Sequence, residues 1–260
     1  MPAVEVLCHR IVWSAVLCTV LLVARGKLDE FKAAVTDRKT LLGLAASGTA
    51  ISINWGGYIW AVSQGRALDA SLAYYVLPLV MLLLGVVFLK EKLGPKQWVA
   101  IGVMACAAAL LTYDRGELPW VVVVLPLSFG CYSLTRKLVA VDAMVGVTVE
   151  TLLLTPFAGA YLLTRSGGGA LVMDTPDIQA LLVACGPVTT LPLVLFAYGA
   201  RRLSLATAGV LQYVNPTVQA LMAVLILGEP LTHLQIVVFA LIWLGLAIYS
   251  LPTRGRVAAG

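Results

Sequence analysis

The sequence predicts an all-α polytopic membrane protein, an inverted repeat of five-helix units with its first helix missing, so that nine spans remain. Three observations carry this. The 260 residues are 60% hydrophobic and only 12% charged, with a mean hydropathy of +0.95. Apolar runs of about 20 residues recur along the chain, the length a helix needs to cross roughly 30 Å of hydrocarbon. The chain also repeats itself at an offset of 138 residues: Ala70, Tyr75, Val76, Pro78, Leu89, Glu91, Leu93, Gln97 and Val99 recur as Ala208, Tyr213, Val214, Pro216, Leu227, Glu229, Leu231, Gln235 and Val237.

The spans fall at about 7–24, 40–64, 69–89, 97–113, 118–135, 143–163, 178–200, 205–227 and 234–251. Every second connection between them is basic. Arg25, Lys27, Lys32, Arg38 and Lys39 follow the first span, Lys90, Lys92 and Lys96 the third, Arg136 and Lys137 the fifth, Arg201 and Arg202 the seventh, and Arg254 and Arg256 the last. Only Arg10, Arg66, Arg115 and Arg165 fall on the other side. The positive-inside rule makes the basic side, with the C-terminus, cytoplasmic, and places the protein in the cytoplasmic membrane. Nine spans then leave Met1 outside. The repeat accounts for this: the span at 118–135 opens the second unit, and its counterpart lies before residue 1. The expectation is therefore a first repeat over 1–114 without its first helix and a second over 115–260, the ten-helix form having both ends in the cytoplasm. A true nine-span protein is the alternative. A unit of five spans crosses an odd number of times, so its second copy enters from the opposite face, and corresponding helices meet about a pseudo-twofold axis in the membrane plane.

Composition excludes several classes. The pI of 9.0 does not point to nucleic acid, because the basic residues sit between spans instead of forming one patch. Cys8, Cys18, Cys106, Cys131 and Cys185 have no paired spacing, and His9 and His233 are the only histidines, so neither a disulfide framework nor a metal site is expected. No phosphate loop or nucleophile elbow occurs, and Ser166-Gly167-Gly168-Gly169 reads as a loop with no strand before it. No catalytic residue, metal or cofactor is expected. Duplicated halves in a membrane are the usual construction of secondary transporters, with the site near the midplane between the repeats.

Several blocks along the chain support a more specific reading. Cys8-His9-Arg10-Ile11-Val12-Trp13-Ser14, Asn54-Trp55, Ala70-Ser71-Leu72-Ala73-Tyr74-Tyr75-Val76-Leu77-Pro78-Leu79, Arg136-Lys137, Glu150-Thr151 and Gln212-Tyr213-Val214-Asn215-Pro216-Thr217 occur in order over nearly the whole length. In these the sequence resembles the RarD group of the EamA branch of the drug/metabolite transporter superfamily. The resemblance implies ten helices in two inverted five-helix repeats, and export of small organic metabolites or drugs. The absent first helix departs from that pattern.

The candidate site residues follow from cost and kind. Glu150 is the only acidic residue well inside a span, where a carboxylate costs about 2.5–3.5 kcal/mol unless it faces water, takes up a proton or pairs with a cation. It is the candidate for proton coupling or solute binding; the alternative is a structural hydrogen bond across the bundle. Arg10 can contact an anionic group or an acid on another helix, or snorkel to the headgroups. His9, beside it, can titrate near neutral pH or simply hydrogen-bond.

Asn54, Trp55 and Tyr58, around Gly56-Gly57, form a candidate binding wall, with helix packing on the glycine notch as the alternative. Tyr74, Tyr75 and Pro78 on one helix, with Gln212, Tyr213, Asn215 and Pro216 on its repeat mate, are the candidate cavity wall, the two prolines being helix kinks. Glu91 and Glu229 read as fixing helix ends in turns. The functional expectation is alternating access around Asn54, Trp55, Tyr75, Gln212 and Asn215, carrying a small, mostly neutral or zwitterionic organic solute, with lipid as surroundings and protons as the candidate coupling ion. The alternative is a non-transporting scaffold or accessory subunit.

Overall fold

A computed structural model describes residues 2–65, 67–114, 120–165, 176–215, 217–218 and 233–251. These residues form helices α1 (Ala3–Ala24), α2 (Leu28–Thr36), α3 (Arg38–Ser63), α4 (Ala67–Leu89), α5 (Pro95–Asp114), α6 (Trp120–Leu138), α7 (Ala143–Arg165), α8 (Pro176–Ala200), α9 (Leu205–Leu211) and α10 (His233–Ser250), and among the described residues no strand. By length and composition α1, α6, α7 through Thr164, and α8 can cross a membrane, and the shorter apolar stretches Ala73–Leu89, Pro95–Leu110 and Ile236–Ser250 supply α4, α5 and α10. Their outward faces carry Val20, Leu83, Leu181, Leu195 and Leu244, each more than half exposed, as helices bathed in lipid require.

Helix α3 is 26 residues long, about 39 Å at 1.5 Å per residue, but is less apolar than its neighbours. Two of its polar groups turn inward, where Ser47 reaches Glu150 of α7 and Asn54 reaches the Leu125 carbonyl of α6. The helix begins where the Asp37 side chain accepts the Thr40 N–H at 3.0 Å, a standard N-cap.

Two elements differ from the sequence expectation. The basic stretch after the first span contains α2, a short amphipathic helix. Its Phe31, Ala34 and Val35 pack on Leu22, Leu44 and Val145, while Asp29, Glu30 and Lys32 face outward. Hydropathy averaged over a span-length window hides such a helix, because the charged face cancels the apolar one.

The second difference lies in the span expected at 205–227, which opens with the seven-residue α9 and then turns at Gln212 and Tyr213. There the backbone tightens to bonds three residues long: Gln212 N to Gly209 O at 2.9 Å, Tyr213 N to Val210 O at 3.1 Å, and Asn215 N to Gln212 O at 3.0 Å. Pro216, Glu229, Arg254, Arg256, Arg66, Arg115 and the 166–169 loop lie outside the described residues.

Packing follows the repeat. Helix α1 lies against α7 and α8, α3 against α6 and α7, α4 against α6 and α9, and α5 against α10. Thus α1 and α7, α4 and α9, and α5 and α10, each pair related by the 138-residue offset, are neighbours. At the α4–α9 contact the Tyr213 hydroxyl donates to the carbonyl oxygen of its own mate, Tyr75, at 3.2 Å. Both tyrosines are buried, within one core cluster that also takes in Met104, Val238 and Ile242.

The connections α1–α2, α6–α7 and α8–α9 converge at one end of the bundle, which is the basic end. Lys27 pairs with Asp142 at 3.0 Å, Arg201 donates to the Val141 carbonyl, and Lys137 to that of Leu203. Partial burial pushes the Asp142 carboxyl up, but the Lys27 ammonium and the N–H groups of Val145 and Met144 outweigh it and hold the group below the ordinary carboxylate value. The same hydrogen bond to Asp142 raises Lys27, against the opposing effect of burial.

Candidate solute cavity

A cavity of about 470 Å³ opens in the bundle between helices of both halves. Helix α1 contributes Arg10, α3 Asn54, Trp55 and Tyr58, and α4 Tyr74 and Leu77. Helix α6 contributes Phe129, α8 Val188, Thr189, Pro192, Leu193 and Phe196, and the turn after α9 contributes Gln212 and Asn215. The break after α9 explains why those two amides reach it: a helix that tightens over Gln212–Asn215 places both on the inner side of the turn.

Aromatic contacts shape the walls. Tyr58 and Tyr74 meet edge to face with centroids 6.0 Å apart, and Phe129 and Phe196 lie at 5.0 Å. The Arg10 guanidinium lies over the Trp55 ring, 4.5 Å from its centroid. Asn54 is held from behind, its Nδ2 donating to Leu125 O at 2.8 Å. The glycine notch beside it is filled by packing: a Cβ on Gly56 would come within 3.3 Å of Leu7, and one on Gly57 within 3.0 Å of Leu125. Packing at the glycines and wall formation by their neighbours coexist on successive faces of α3.

Of the residues singled out in the sequence, the cavity brings together Arg10, Asn54, Trp55, Tyr58, Tyr74, Gln212 and Asn215. It does not take in Tyr75 or Tyr213, which the sequence placed on the wall. Adjacent residues on a helix point about 100° apart, so Tyr74 on the cavity sends Tyr75 into the core, where it packs on Phe239. Tyr213 is fully buried beside it. His9, next to Arg10, is likewise buried on another face of α1. Pro78 is buried where α4 meets α9, and a Cβ on Gly209 would stand 3.0 Å from its carbonyl oxygen.

Glu150 also lies away from the cavity. Its carboxylate is 1% exposed and takes the cation-paired alternative among those that make a buried acid tolerable: Arg136 Nη1 is 3.5 Å from Oε1, and Ser47 Oγ donates to the same oxygen at 2.5 Å. Arg136 is itself fully buried, and its Nη2 donates to the Ala143 carbonyl at 3.2 Å. The guanidinium lies directly over Gly146, where any Cβ would collide with it.

Sequence reasoning passed over Phe129, Phe196, Leu77, Thr189, Pro192 and Leu193. They belong to ordinary apolar runs, and the only signal available was the pair Pro187 and Pro192, which marks α8 as irregular. The role of Glu91 was half visible. It does fix a helix end, but that of α9 across the bundle: its carboxylate oxygens accept Leu205 N at 2.6 Å and Ala206 N at 3.0 Å, with Lys137 Nζ 3.7 Å away. Among the described residues no group of three or more His, Cys, Asp or Glu is placed to hold a metal ion.

Known proteins resemble this chain over nearly its whole length. Residues 1–113 and 120–251 each match the EamA-like transporter family. An uncharacterized transporter of Pseudomonas aeruginosa is 43% identical over 252 residues, covering 96% of this chain and 84% of that protein. Protein RarD of Escherichia coli is 37% identical over 250 residues, 95% of this chain and 84% of its own length. The Chloramphenicol-sensitive protein RarD of Pseudomonas aeruginosa is 31% identical over 255 residues, 95% and 84% respectively. One crystal structure aligns with a TM-score of 0.70 over 96% of this chain and 88% of the other at 19% identity, a likeness of fold. With two matched segments on an all-helical bundle of apolar spans, this chain is an integral membrane protein that belongs to the EamA-like transporter family.

Proposed function

We propose that this protein exports small organic solutes across the cytoplasmic membrane by alternating access, and that the cavity between the two halves is where the solute binds. The observation that carries this reading is the make-up of that cavity. Its volume lies within the roughly 300–1,000 Å³ of small-molecule sites, and its walls combine five aromatic rings with the amides of Asn54, Gln212 and Asn215. Both halves contribute, so rocking one against the other would open the cavity to each face in turn. The broken start of the α9 span and the proline-bearing α4 are the walls best suited to bend. The basic end, with the C-terminus, faces the cytoplasm in this reading.

Export and proton coupling are parts of the proposal with separate supports. Export is supported by the resemblance to the RarD group, whose members are expected to move small organic solutes outward. Coupling through Glu150 requires that its carboxylate exchange Arg136 for a proton during the cycle, since the carboxylate is held by the guanidinium in the present arrangement.

The test compares the medium of cells lacking the protein, cells overproducing it, and cells overproducing Trp55→Ala, by untargeted metabolite profiling. A compound that accumulates outside with the intact protein and not with the variant is the expected result. Identical profiles in all three, with no uptake difference in the reverse direction, would favour a non-transporting scaffold.

A further inference from the structure

We propose that the solute taken by this cavity is an organic anion, its oxyanion group seated on Arg10 and its apolar body lying against the aromatic walls. The proposal rests on the transport reading above and narrows it to one charge class. Four observations lead to it.

Arg10 is the cavity's one fixed charge among the described lining residues, and none of the described carboxylates pairs with it. It lies about 10 Å along α1 from Ala3 at 1.5 Å per residue, and its guanidinium turns over Trp55 into the cavity. It makes no ion pair among the described residues, and its Nε is buried without a hydrogen-bond partner. The buried and half-buried glutamates of the described residues are otherwise placed. Glu150 holds Arg136, Glu91 holds the start of α9 with Lys137, and Glu5, five residues before Arg10, projects about 140° around α1 from it.

The energetics then favour a counterpart. A cation in the interior of a bundle is tolerated only when paired or solvated, and a Trp face returns about 2 kcal/mol, which leaves the N–H donors of the fork without acceptors. Guanidinium presents a planar fork of N–H donors that matches a carboxylate or similar oxyanion with two parallel bonds, and the buried Nε belongs to that fork.

The other polar side chains lining the cavity are neutral: the Tyr58, Tyr74 and Thr189 hydroxyls, the Trp55 indole, and the amides of Asn54, Gln212 and Asn215. None of them adds charge to the site. A cationic solute would meet Arg10 with no acid among the described lining residues to balance it, and a fully neutral one would leave the guanidinium without a counter-charge there. An aromatic or branched acid satisfies both halves of the site, the fork and the ring-lined walls.

The experiment uses the full chain in nanodiscs and three probes with one body: 3-phenylpropanoate, 3-phenylpropanamide and 3-phenylpropylamine. Binding is measured for the native chain and for Arg10→Gln, Arg10→Lys and Trp55→Ala. The expected result is that the acid binds at least ten-fold more tightly than the amide or the amine. Arg10→Gln should abolish that preference, Arg10→Lys should retain it in weakened form, and Trp55→Ala should weaken all three. If the amide or the amine binds as well as the acid, in a manner sensitive to Trp55→Ala, the charge assignment is overturned while the transport reading stands. If Arg10→Gln keeps the acid preference, Arg10 is not its source and the proposal falls. If no probe of any charge binds, both the anion assignment and the cavity's role in solute binding fail.

Discussion

A buried charge is stable only with its partner, and Arg136 and Glu150 show how far that partner can be hidden from a sequence. The sequence made Glu150 conspicuous, because an acid inside a span has a large cost. It made Arg136 inconspicuous, because beside Lys137 at the end of α6 it looked like a residue that sets orientation. The missing step was to ask which cation stands at the same membrane depth on an adjacent helix. Seven residues into α7 is about 10 Å, and a long side chain on the last turns of α6 can reach that depth. Removing one member leaves a buried charge alone, with a cost of about 3–5 kcal/mol, whereas replacing both by apolar residues of similar size is close to neutral. Arg136→Met should therefore lower the thermal stability of the detergent-solubilised protein sharply, and Arg136→Met with Glu150→Leu should restore most of it. Transport should discriminate further. A double variant that regains stability and carries solute without regard to a proton gradient would assign Glu150 to coupling, and one that keeps gradient-driven transport would assign the pair to structure alone.

At the scale of the element, the chain's long helices were legible and its short ones were not. A span announces itself through 20 apolar residues, but α2 is nine residues with a charged face, and α9 ends after seven inside a run that reads as one continuous apolar helix. What ends α9 early is local chemistry: the three-residue bonds over Gln212–Asn215 just before Pro216. What starts it is distant chemistry. Glu91 lies 114 residues before Leu205, and its carboxylate takes the first N–H groups of α9, where a helix carries partial positive charge, while Ser204 caps the same turn through Thr207 N at 3.0 Å. Glu91 thereby ties the α4–α5 connection to the start of the broken span and, through Lys137, to α6. Hydrogen bonds to a charged acceptor contribute about 1.5–3 kcal/mol. Glu91→Gln should accordingly lower stability by about that amount and lower the transport rate, since the wall that carries Gln212 and Asn215 loses its anchor. Solute affinity measured at equilibrium should change much less, because Glu91 touches no part of the cavity. An affinity loss as large as the rate loss would mean that Glu91 shapes the cavity directly.

The whole molecule is organised by its repeat, and here the sequence was most informative. The offset that pairs Tyr75 with Tyr213 in the sequence pairs them in space, through a hydrogen bond between the two mates. What the offset alone did not tell is which face of each mate meets the other. Tyr75 and Tyr213 turned out to be the seam, and Tyr74, Gln212 and Asn215 the wall, because the helical step between neighbours separates the two sets. The seam is tight where Gly209 crosses α4: a Cβ there would lie 2.9 Å from Met81 Cβ and 3.0 Å from the Pro78 carbonyl oxygen, and a backbone oxygen cannot move aside as a flexible side chain can. If the halves rock about this seam during transport, α4 and α9 must slide while staying in contact. Gly209→Ala should therefore cost about 1–3 kcal/mol of stability from overpacking. It should also slow turnover more than it weakens solute binding, because the extra methyl obstructs the crossing in every state of the cycle. Gly102→Ala is the matched comparison: its added Cβ meets nothing within 4 Å, so turnover should be unchanged and stability should rise by up to about 1 kcal/mol, the helix preference of Ala over Gly. Equal turnover in the two variants would place the moving surface of this transporter elsewhere than the α4–α9 seam.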